Sequence, residues 1–306
     1  MKKKTLILLA FIVPTCLLAQ QDPMVSQYMF NINLMNPAYA GCHPYPNATV
    51  IYRKQWLGFS GAPTSQFASF DAPIGGKNIG LGLQFTRDVV GITERTDING
   101  DYSYHLKLDN AKLAMGLRTG LSYYRAELSE LKVWDEGDDV YRQSTVTAIV
   151  PNFGTGLYYY TDKYFAGLAI PHIINYEPGT TLNIKTAKAP HQVRHYYITG
   201  GYVYSVNENV ILKPSFLLKY VPNTPAEVDI NLNVLLKQVI WLGVSYRSGD
   251  SFVGLVEFQI NKQLRLGYAH DFTISCLRHY NSGSHEIIVS YDLGKEAVKM
   301  KTPRFF

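Results

Sequence analysis

Apolar and polar residues alternate one by one along most of this chain. In residues 113–123, leucine and methionine fill most odd positions, while alanine, glycine, arginine and serine fill the even ones. Residues 78–86 follow the same rule, with Ile, Leu and Phe alternating with Gly, Asn, Gln and Thr. Because successive side chains on a strand point to opposite faces, each such segment predicts a strand with one apolar face and one small or polar face.

About fourteen segments of this kind follow one another. They lie near 47–57, 64–72, 77–88, 95–109, 111–124, 147–161, 164–172, 193–206, 209–220, 226–236, 239–248, 251–260, 264–274 and 284–293. Every second connection is a tight polar turn, and those between are mostly longer, notably 125–146, 173–192 and 275–283. The pattern predicts an all-β fold, a closed antiparallel transmembrane β-barrel of about 14 strands with short periplasmic turns and longer extracellular loops.

A secreted β-sandwich or propeller would show the same alternation. Composition favours the barrel, because charged residues make up only 17% of the chain, against roughly 25% in ordinary soluble proteins. The 23 tyrosines, with Trp56, Trp134 and Trp241, suit the aromatic girdles at the two membrane interfaces. Pro151 and Pro214 fall in or beside predicted strands, where each removes a ladder hydrogen bond, so we expect bulges or shifted boundaries there.

The N-terminus has the form of a secretion signal. Lysines precede an apolar run that is too short to span a bilayer, and a small residue, Ala19, stands before a candidate cleavage point. We therefore expect four parts: 1–19, a signal peptide; 20–46, an N-terminal periplasmic or lumenal segment; 47–294, the outer-membrane barrel; and 295–306, a C-terminal tail.

The charge of the chain gives no reason to expect a nucleic-acid partner. Without the three lysines of residues 1–19, 26 basic residues face 24 acidic ones, a net charge of +2 in place of +5. The remaining cysteines, Cys42 and Cys276, are too few for a disulfide scaffold. We expect two unpaired thiols, because Cys42 precedes the first strand and Cys276 follows the thirteenth, at opposite ends of the barrel.

Motifs for enzymatic chemistry are absent from the sequence, which has no G-x-S-x-G, P-loop or H-E-x-x-H. His191 and His195 have a metal-binding spacing, but they stand in a loop, so we expect them to be solvated. The acidic run at 135–139 could hold calcium, yet it lacks the spacing of a calcium loop. We therefore expect no enzyme activity, no catalytic residues, no metal and no cofactor.

Four arginines fall on or near predicted strands: Arg53, Arg118, Arg247 and Arg265. An arginine facing lipid at mid-membrane costs roughly 2–4 kcal/mol, so these arginines should face the lumen or sit near a rim. They either tune a pore or pair with acids such as Asp229, Glu286 and Asp292 to fill the interior. We favour the filling role.

Several stretches resemble the PorP/SprF family of type IX secretion membrane proteins from Bacteroidetes. They include QDPMVSQYMFNINLMNPAYAG at 21–41, YRKQW at 52–56, PNFGTGLYYYTDKYFAGLAIPH at 151–172, WLGVSYRSGD at 241–250 and YNSGSHEIIVSYDLG at 280–294. They occur in the expected order over nearly the whole chain after the signal. The tail 295–306 departs from the pattern because KTPRFF does not alternate.

The resemblance implies an outer-membrane component of the type IX secretion and gliding system. Its expected role is to bind and anchor, or help export, a secreted adhesin-like surface protein through that protein's C-terminal sorting domain, and periplasmic type IX machinery is a further candidate partner. The alternative is a channel that passes solutes or polypeptide. Fourteen strands leave either reading open, because side chains or the N-terminal segment can fill a barrel of that width.

Two groups of residues are candidate sites. Aromatic and acidic residues in the long loops are candidate partner contacts; these are Trp134, Asp135, Glu136, Asp138, Asp139, Tyr141 and Tyr176. The irregular run QYMFNINLMNPAYAG at 27–41 has no period of two and ends in turn-forming residues. We expect it to act as a plug or brace against the periplasmic rim or inside the lumen, through Tyr28, Phe30, Asn31, Asn36, Pro37 and Tyr39.

Overall fold

The structure is a computed structural model, and it describes residues 22–75, 78–128, 145–174, 193–222 and 224–294. Fourteen strands follow the chain in order. They are β1 (Asn47–Lys54), β2 (Thr64–Ile74), β3 (Ile79–Val90), β4 (Thr93–Lys107), β5 (Lys112–Ala126), β6 (Val146–Tyr160), β7 (Tyr164–Ile170), β8 in two pieces (Tyr196–Tyr202 and Tyr204–Asn207), β9 (Val210–Tyr220), β10 (Glu227–Leu236), β11 (Ile240–Arg247), β12 (Ser251–Gln259), β13 (Leu264–Thr273) and β14 (Ser284–Asp292).

Each strand pairs antiparallel with its neighbours in sequence, and β1 pairs with β14 to close the barrel. In that closing pair Asn47 stands opposite Asp292 and Lys54 opposite His285. Closure leaves no unpaired edge, which is the condition for a sheet to cross hydrocarbon. The predicted fold class and strand number are confirmed.

The distribution of apolar residues is the reverse of that in a soluble protein. On β5, Leu117 and Leu121 are 62% and 55% exposed, whereas Arg118 and Ser122 are buried. The same alternation runs round the barrel, so the apolar faces point outward to lipid and the polar faces point into the lumen. Exposed tyrosines lie near both ends of the strands, among them Tyr52, Tyr123, Tyr220 and Tyr246 at one end and Tyr104, Tyr164, Tyr204 and Tyr291 at the other.

The barrel has two different rims. The short-turn rim carries the turns that follow β2, β4, β6, β8, β10 and β12, and the long-loop rim carries the connections that follow β1, β3, β5, β7, β9, β11 and β13. Outer-membrane barrels place their short turns in the periplasm and their long loops outside, so the long-loop rim is the external one. In the described parts of the chain, no helix has both the length and the apolar character to cross a membrane.

The two strand prolines behave differently from each other. Pro151 stands opposite Leu121 in an unbroken register with β5, so there is no bulge between these two strands at that position. Among the described residues the β6–β7 ladder begins at Thr155, after Pro151. Pro214 does accompany an irregularity, because the neighbouring strand β8 is interrupted at Val203.

Candidate functional site: the plugged lumen

Residues 22–46 lie inside the barrel and run along its length. Asp22 contacts Arg95, His172 and His195, which stand at the long-loop ends of β4, β7 and β8. Ala40 accepts a hydrogen bond from Ser103 near the short-turn end of β4. The chain therefore enters the described structure near the external rim, descends through the lumen and turns into β1 at the periplasmic end. We call residues 22–46 the plug.

Three single turns of 3-10 helix shape the plug, at Tyr28–Phe30, Ile32–Leu34 and Pro37–Tyr39. Asn36 begins the third turn, because its side-chain oxygen accepts from the backbone N–H of Ala38 at 3.0 Å while Pro37 fills the first position. The Asn36 amide nitrogen donates to the carbonyl of Leu157 at 3.0 Å. One side chain thus caps the turn and joins it to the wall.

Small residues on the inner wall make room for this turn. A Cβ atom added to Gly116 would lie 2.1 Å from the backbone nitrogen of Ala38, and one added to Gly156 would lie 2.1 Å from the Asn36 side-chain oxygen. Neither position tolerates a larger residue without moving the plug. The alternation of glycine with apolar residues on β5 and β6 therefore encodes space for the plug as well as strand structure.

A buried ionic cluster anchors the upper part of the plug. Arg53 pairs with Asp271 at 2.7 Å and with Glu286 at 3.1 Å. Glu286 also accepts the backbone N–H groups of Ser26 and Gln27, at 2.7 and 2.8 Å. The Ser26 hydroxyl lies 2.8 Å from the Asp271 carboxylate. Because all of these groups are buried, the wall carboxylates depend on the plug backbone as well as on Arg53 for hydrogen-bond partners.

A second ionic cluster holds the middle of the plug from the opposite wall. Arg118 donates to Asp101 at 2.7 Å and to the carbonyls of Asn33 and Leu34 at 2.7 and 3.0 Å. Gln84 donates to Asp101 and to the same Asn33 carbonyl. The carbonyls that the 3-10 turn leaves without helical partners thus bind side chains of β3 and β5.

The interior arginines pair with acids, as the filling prediction requires. Arg247 lies 3.2 Å from Asp229 and 3.5 Å from Asp271, so it extends the upper cluster. Arg265 lies 3.7 Å from Glu257 and 3.8 Å from Asp292 near the short-turn rim. Each of the predicted acid partners, Asp229, Glu286 and Asp292, pairs with an interior arginine, and the filling role is confirmed for these arginines.

The first described residue, Asp22, has its own set of partners. Its carboxylate lies 2.9 Å from Arg95 and 3.0 Å from His172, and its backbone N–H donates to Nε2 of His195 at 3.2 Å. Burial alone would raise the pKa of Asp22, but His172, His195 and Arg95 outweigh it and hold that pKa well below its usual range. Burial lowers the pKa of His195.

His195 corrects a sequence-based expectation. It was expected to be a solvated loop residue, yet it is buried, stacks on Tyr197 with ring centroids 6.2 Å apart and accepts from the plug. The reason is that His195 directly precedes β8 at the external end of the lumen, where the plug begins. His191 lies outside the described residues, and in the described chain no cluster of His, Cys, Asp or Glu has the arrangement of a metal site.

Apolar contacts complete the packing. Met24, Val25, Met29, Ile32 and other plug residues share one buried cluster with wall residues such as Ile51 and Ile288. Phe30 meets Trp241 edge to face, with ring centroids 5.8 Å apart. Trp241 faces the lumen and is 8% exposed. Its predicted place in an aromatic girdle is therefore wrong. Trp56 lies half-buried in the β1–β2 loop, and Trp134 lies outside the described residues.

A cavity of about 60 Å³ lies beside the plug in the external half of the lumen. Polar residues such as Asp22, Arg95 and His172 and apolar residues such as Met35 and Phe67 line it. A water molecule needs roughly 10–15 Å³ of such volume, so the cavity holds a few waters but no sizeable solute.

The predicted plug residues come together in the lumen. Tyr28, Phe30, Asn31, Asn36, Pro37 and Tyr39 are all buried there. Asn231 donates to the Tyr28 hydroxyl at 2.6 Å, and Asn31 donates to Ser69 at 2.7 Å. The loop residues Trp134, Asp135, Glu136, Asp138, Asp139, Tyr141 and Tyr176 lie outside the described residues, as does the tail 295–306.

Sequence reasoning did not find Asp22, Ser26 and Gln27 as anchors, nor Asp271 as the wall partner of Ser26, nor Asp101 as the partner of Arg118. A signal existed for Asp101, which falls on the inward parity of β4 directly opposite Arg118. The plug side of each contact is mostly backbone, which carries no residue-specific signal. Cys42 is buried and Cys276 exposed, and neither of these two cysteines forms a disulfide.

Comparison with known proteins agrees with this architecture. Residues 17–291 match the model of the family described as type IX secretion system membrane protein PorP/SprF. No curated protein matches the chain. The crystal structure of the Ralstonia pickettii toluene transporter TbuX has 11% sequence identity and a TM-score of 0.51, covering 86% of this chain and 92% of that one.

The deltaS2 mutant of the TodX monoaromatic hydrocarbon channel is a second structural match. It has 10% identity and a TM-score of 0.50, covering 85% of this chain and 93% of the other. Likeness at this level of identity shows the barrel fold alone. The family match, the fold and the lipid-facing apolar band together place the protein in the outer membrane.

Proposed function

The chain belongs to the PorP/SprF family of type IX secretion system membrane proteins, and from that premise we propose that it is a non-enzymatic outer-membrane component that holds a secreted surface protein. The proposed partner site is the C-terminal sorting domain of an adhesin-like protein, which the barrel anchors at the surface or helps to export. The observation that carries the proposal is the plug, because a filled lumen leaves the rims as the working surfaces.

The way in which the plug is held supports a role at the rims. Hydrogen bonds from its backbone to buried charged wall residues, notably Glu286 and Arg118, hold it in place. Leaving a buried polar group without its partner costs roughly 1–3 kcal/mol, and more for a charged group, so moving the plug aside would break several costly contacts at once. A polypeptide needs a passage far larger than the cavity of about 60 Å³ beside the plug. Transport of the partner through this lumen is therefore the less favoured mechanism.

The chemistry of the lumen supports a non-enzymatic role. Its buried acids and arginines are engaged with each other and with the plug backbone, as at Arg53 and Asp101. A catalytic acid or nucleophile needs access to a substrate, and these groups are buried beneath residues 22–46. Their arrangement serves to position the plug.

The proposed partner contacts are the long external loops. The acidic and aromatic residues at 134–141, together with Tyr176, have the composition of an anchoring surface for a protein partner. Periplasmic type IX machinery is a second proposed partner and would meet the short-turn rim. Lipid surrounds the outward face, and no nucleic-acid partner is proposed.

A binding measurement tests the proposal directly. The purified full-length barrel is immobilised, and a soluble reporter fused to a sorting domain is passed over it, with the unfused reporter as the control. We expect saturable binding of the fusion with submicromolar affinity. Equal binding of the fusion and the unfused reporter would overturn the proposal. A variant in which a Gly-Ser linker of equal length replaces residues 129–144 tests the loop.

The alternative function is a channel, because the barrel fold is shared with the toluene transporter TbuX and the monoaromatic hydrocarbon channel TodX. It requires the plug to leave the lumen or rearrange within it. Steady single-channel currents through the intact protein in a planar bilayer would favour the channel, and silence would favour the rim function.

A further inference from the structure

Ionisable residues near the long-loop rim are distributed unevenly over the outer wall. On one side, outward-facing arginines have acidic partners: Arg87 lies 2.6 Å from Glu94, and Arg125 pairs with Glu127. On the wall formed by β11 to β14, β1 and β2, the described strand residues place no carboxylate outward. Three basic side chains stand there without such neutralisation: Lys54, His285 and His270.

These three residues form one row across adjacent strands. Lys54 on β1 stands directly opposite His285 on β14, and His285 stands directly opposite His270 on β13. All three point outward, because their neighbours Arg53, Glu286 and Asp271 are the buried anchors of the lumen. Directly opposed residues have Cβ atoms about 5 Å apart. The three side chains are therefore close enough to contact one anion together.

Neighbouring side chains fix the two imidazoles. The Tyr268 hydroxyl lies 2.5 Å from Nδ1 of His285, which leaves Nε2 of that ring for another partner. The ring of His270 packs edge to face on Phe272 with centroids 4.4 Å apart, and its centroid lies 4.6 Å from that of His285. Within the described chain, Nδ1 of His270 is buried and has no hydrogen-bond partner. An orphaned polar atom of this kind calls for a ligand or a water.

Below Lys54, His270 and His285, the outward-facing rows of residues match the successive layers of a lipid molecule. Two residues further from the rim, the same strands present Tyr52, Ile287 and Tyr268, all outward and exposed. Two residues further still they present Val50, Val289 and Leu266. Each step along a strand of two residues is about 7 Å. The wall thus presents basic residues at headgroup level, mainly aromatic residues at the interface and aliphatic residues at acyl-chain level.

We propose that Lys54, His270 and His285 form a binding site for a phosphate group of an outer-leaflet glycolipid. The Lys54 ammonium donates a charge-assisted hydrogen bond to phosphate oxygens, and an imidazole N–H donates to them without needing a charge, while the apolar rows below contact the acyl chains. The position favours a lipid over free phosphate, because the site lies on the lipid-facing wall and continues into the apolar rows. The site is independent of the proposed partner at the loops.

Thermal unfolding of the detergent-purified full-length protein tests the site. Unfolding is followed by the heat-dependent mobility of the barrel in gels, with three additives: bis-phosphorylated lipid A, the same lipid without its phosphates, and inorganic phosphate. We expect lipid A alone to raise the unfolding temperature in a saturable manner. Equal stabilisation by the dephosphorylated lipid, or by inorganic phosphate, would overturn the lipid-phosphate site.

Two variants complete the test. Combined Lys54→Gln, His270→Gln and His285→Gln substitution should weaken the apparent affinity for lipid A at least about fivefold, because each basic group contributes near an anionic surface. Arg125→Gln, which removes a paired outward cation on another wall, should leave it unchanged. Lys54→Gln alone, at an exposed side chain, must weaken binding in the same direction. Unchanged affinity for lipid A in both the triple variant and the Lys54→Gln variant would overturn the proposal.

Discussion

Glu286 shows how much a single interior residue does in this barrel. It accepts from Ser26, Gln27 and Arg53, so it joins the plug backbone to the pair that closes the wall between β1 and β14. A carboxylate is suited to this position because its two oxygens accept several donors at once. The main effect of Glu286 is to position the plug, because a buried ion pair by itself contributes little net stability.

Glu286→Gln should loosen the upper plug. The amide keeps the shape of the side chain but removes the charge beside Arg53, so we expect a loss of about 3 kcal/mol in unfolding free energy. Denaturant unfolding of the purified barrel measures this loss. Glu94→Gln, at an outward and partly exposed pair, is the matched control and should cost less than about 1 kcal/mol. Equal effects of the two changes would contradict the anchoring role.

Acidification should loosen the start of the plug. Burial lowers the pKa of His195 in the folded state, so its contribution to stability is fully present above the unfolded pKa of about 6.5 and is lost as pH falls toward the folded value. The pKa of Asp22 is also lowered, so its contribution is fully present above its unfolded pKa of about 3.9 and is lost as pH falls below that value. Between pH 7.5 and 5, protonation of His195 should therefore lower the unfolding temperature.

The variant His195→Gln isolates this effect. It should show a smaller decline in unfolding temperature over that range than the unmodified protein, because glutamine does not titrate. The same comparison with His279→Gln, an exposed loop residue, should show no change in slope. An unaltered pH profile in His195→Gln would contradict the assignment.

At the scale of elements, the strands could be predicted and most plug contacts could not. Period-two alternation is a local signal, and it located every strand to within a few residues, as for β5 and β9. The position of the plug depends on backbone carbonyls such as that of Asn33 meeting Arg118, which no local pattern encodes. Trp241 was misplaced for a related reason, since an aromatic residue suits both a girdle and a plugged lumen.

Gly116→Val tests the fit between β5 and the third plug turn. The new side chain would enter the space of Pro37 and Ala38, and such overpacking costs typically 1–3 kcal/mol. The strand itself should still form, since valine favours β-structure. We expect a folded barrel with a lower unfolding temperature and greater cleavage of residues 22–46 by added protease.

Gly254→Val is the matched control for this change. Its added side chain meets nothing within 4 Å on the outward face, so stability and protease resistance should stay as they are. A Gly116 variant that behaves like the Gly254 variant would show that the turn does not need that space.

At the scale of the whole molecule, the plug and the two rims define an orientation. Cys276 is exposed in the β13–β14 loop at the long-loop rim, and Cys42 is buried near the short-turn rim. The start of the plug, Asp22, lies at the same end as Cys276. The chain therefore crosses the membrane level once inside the lumen before β1 begins.

Labelling of intact cells tests this orientation. A membrane-impermeant thiol reagent should modify Cys276 and leave Cys42 unmodified, with Cys276→Ser as the control. A short epitope inserted directly before Asp22 should be reached by antibody from outside the cell. An epitope inserted in the Asp109-Asn110 turn should be reached only after the outer membrane is opened. The reverse pattern would contradict the assigned rims.

The most direct measurement of the central claim, that residues 22–46 close the lumen, is conductance in a planar bilayer. The intact protein should be nearly silent, and a variant lacking residues 22–41 should carry steady single-channel currents once its heat-dependent gel mobility shows a folded barrel. Glu286→Gln, with its plug loosened in place, should give intermittent openings. Currents through the intact protein as large as those through the deletion variant would contradict the account.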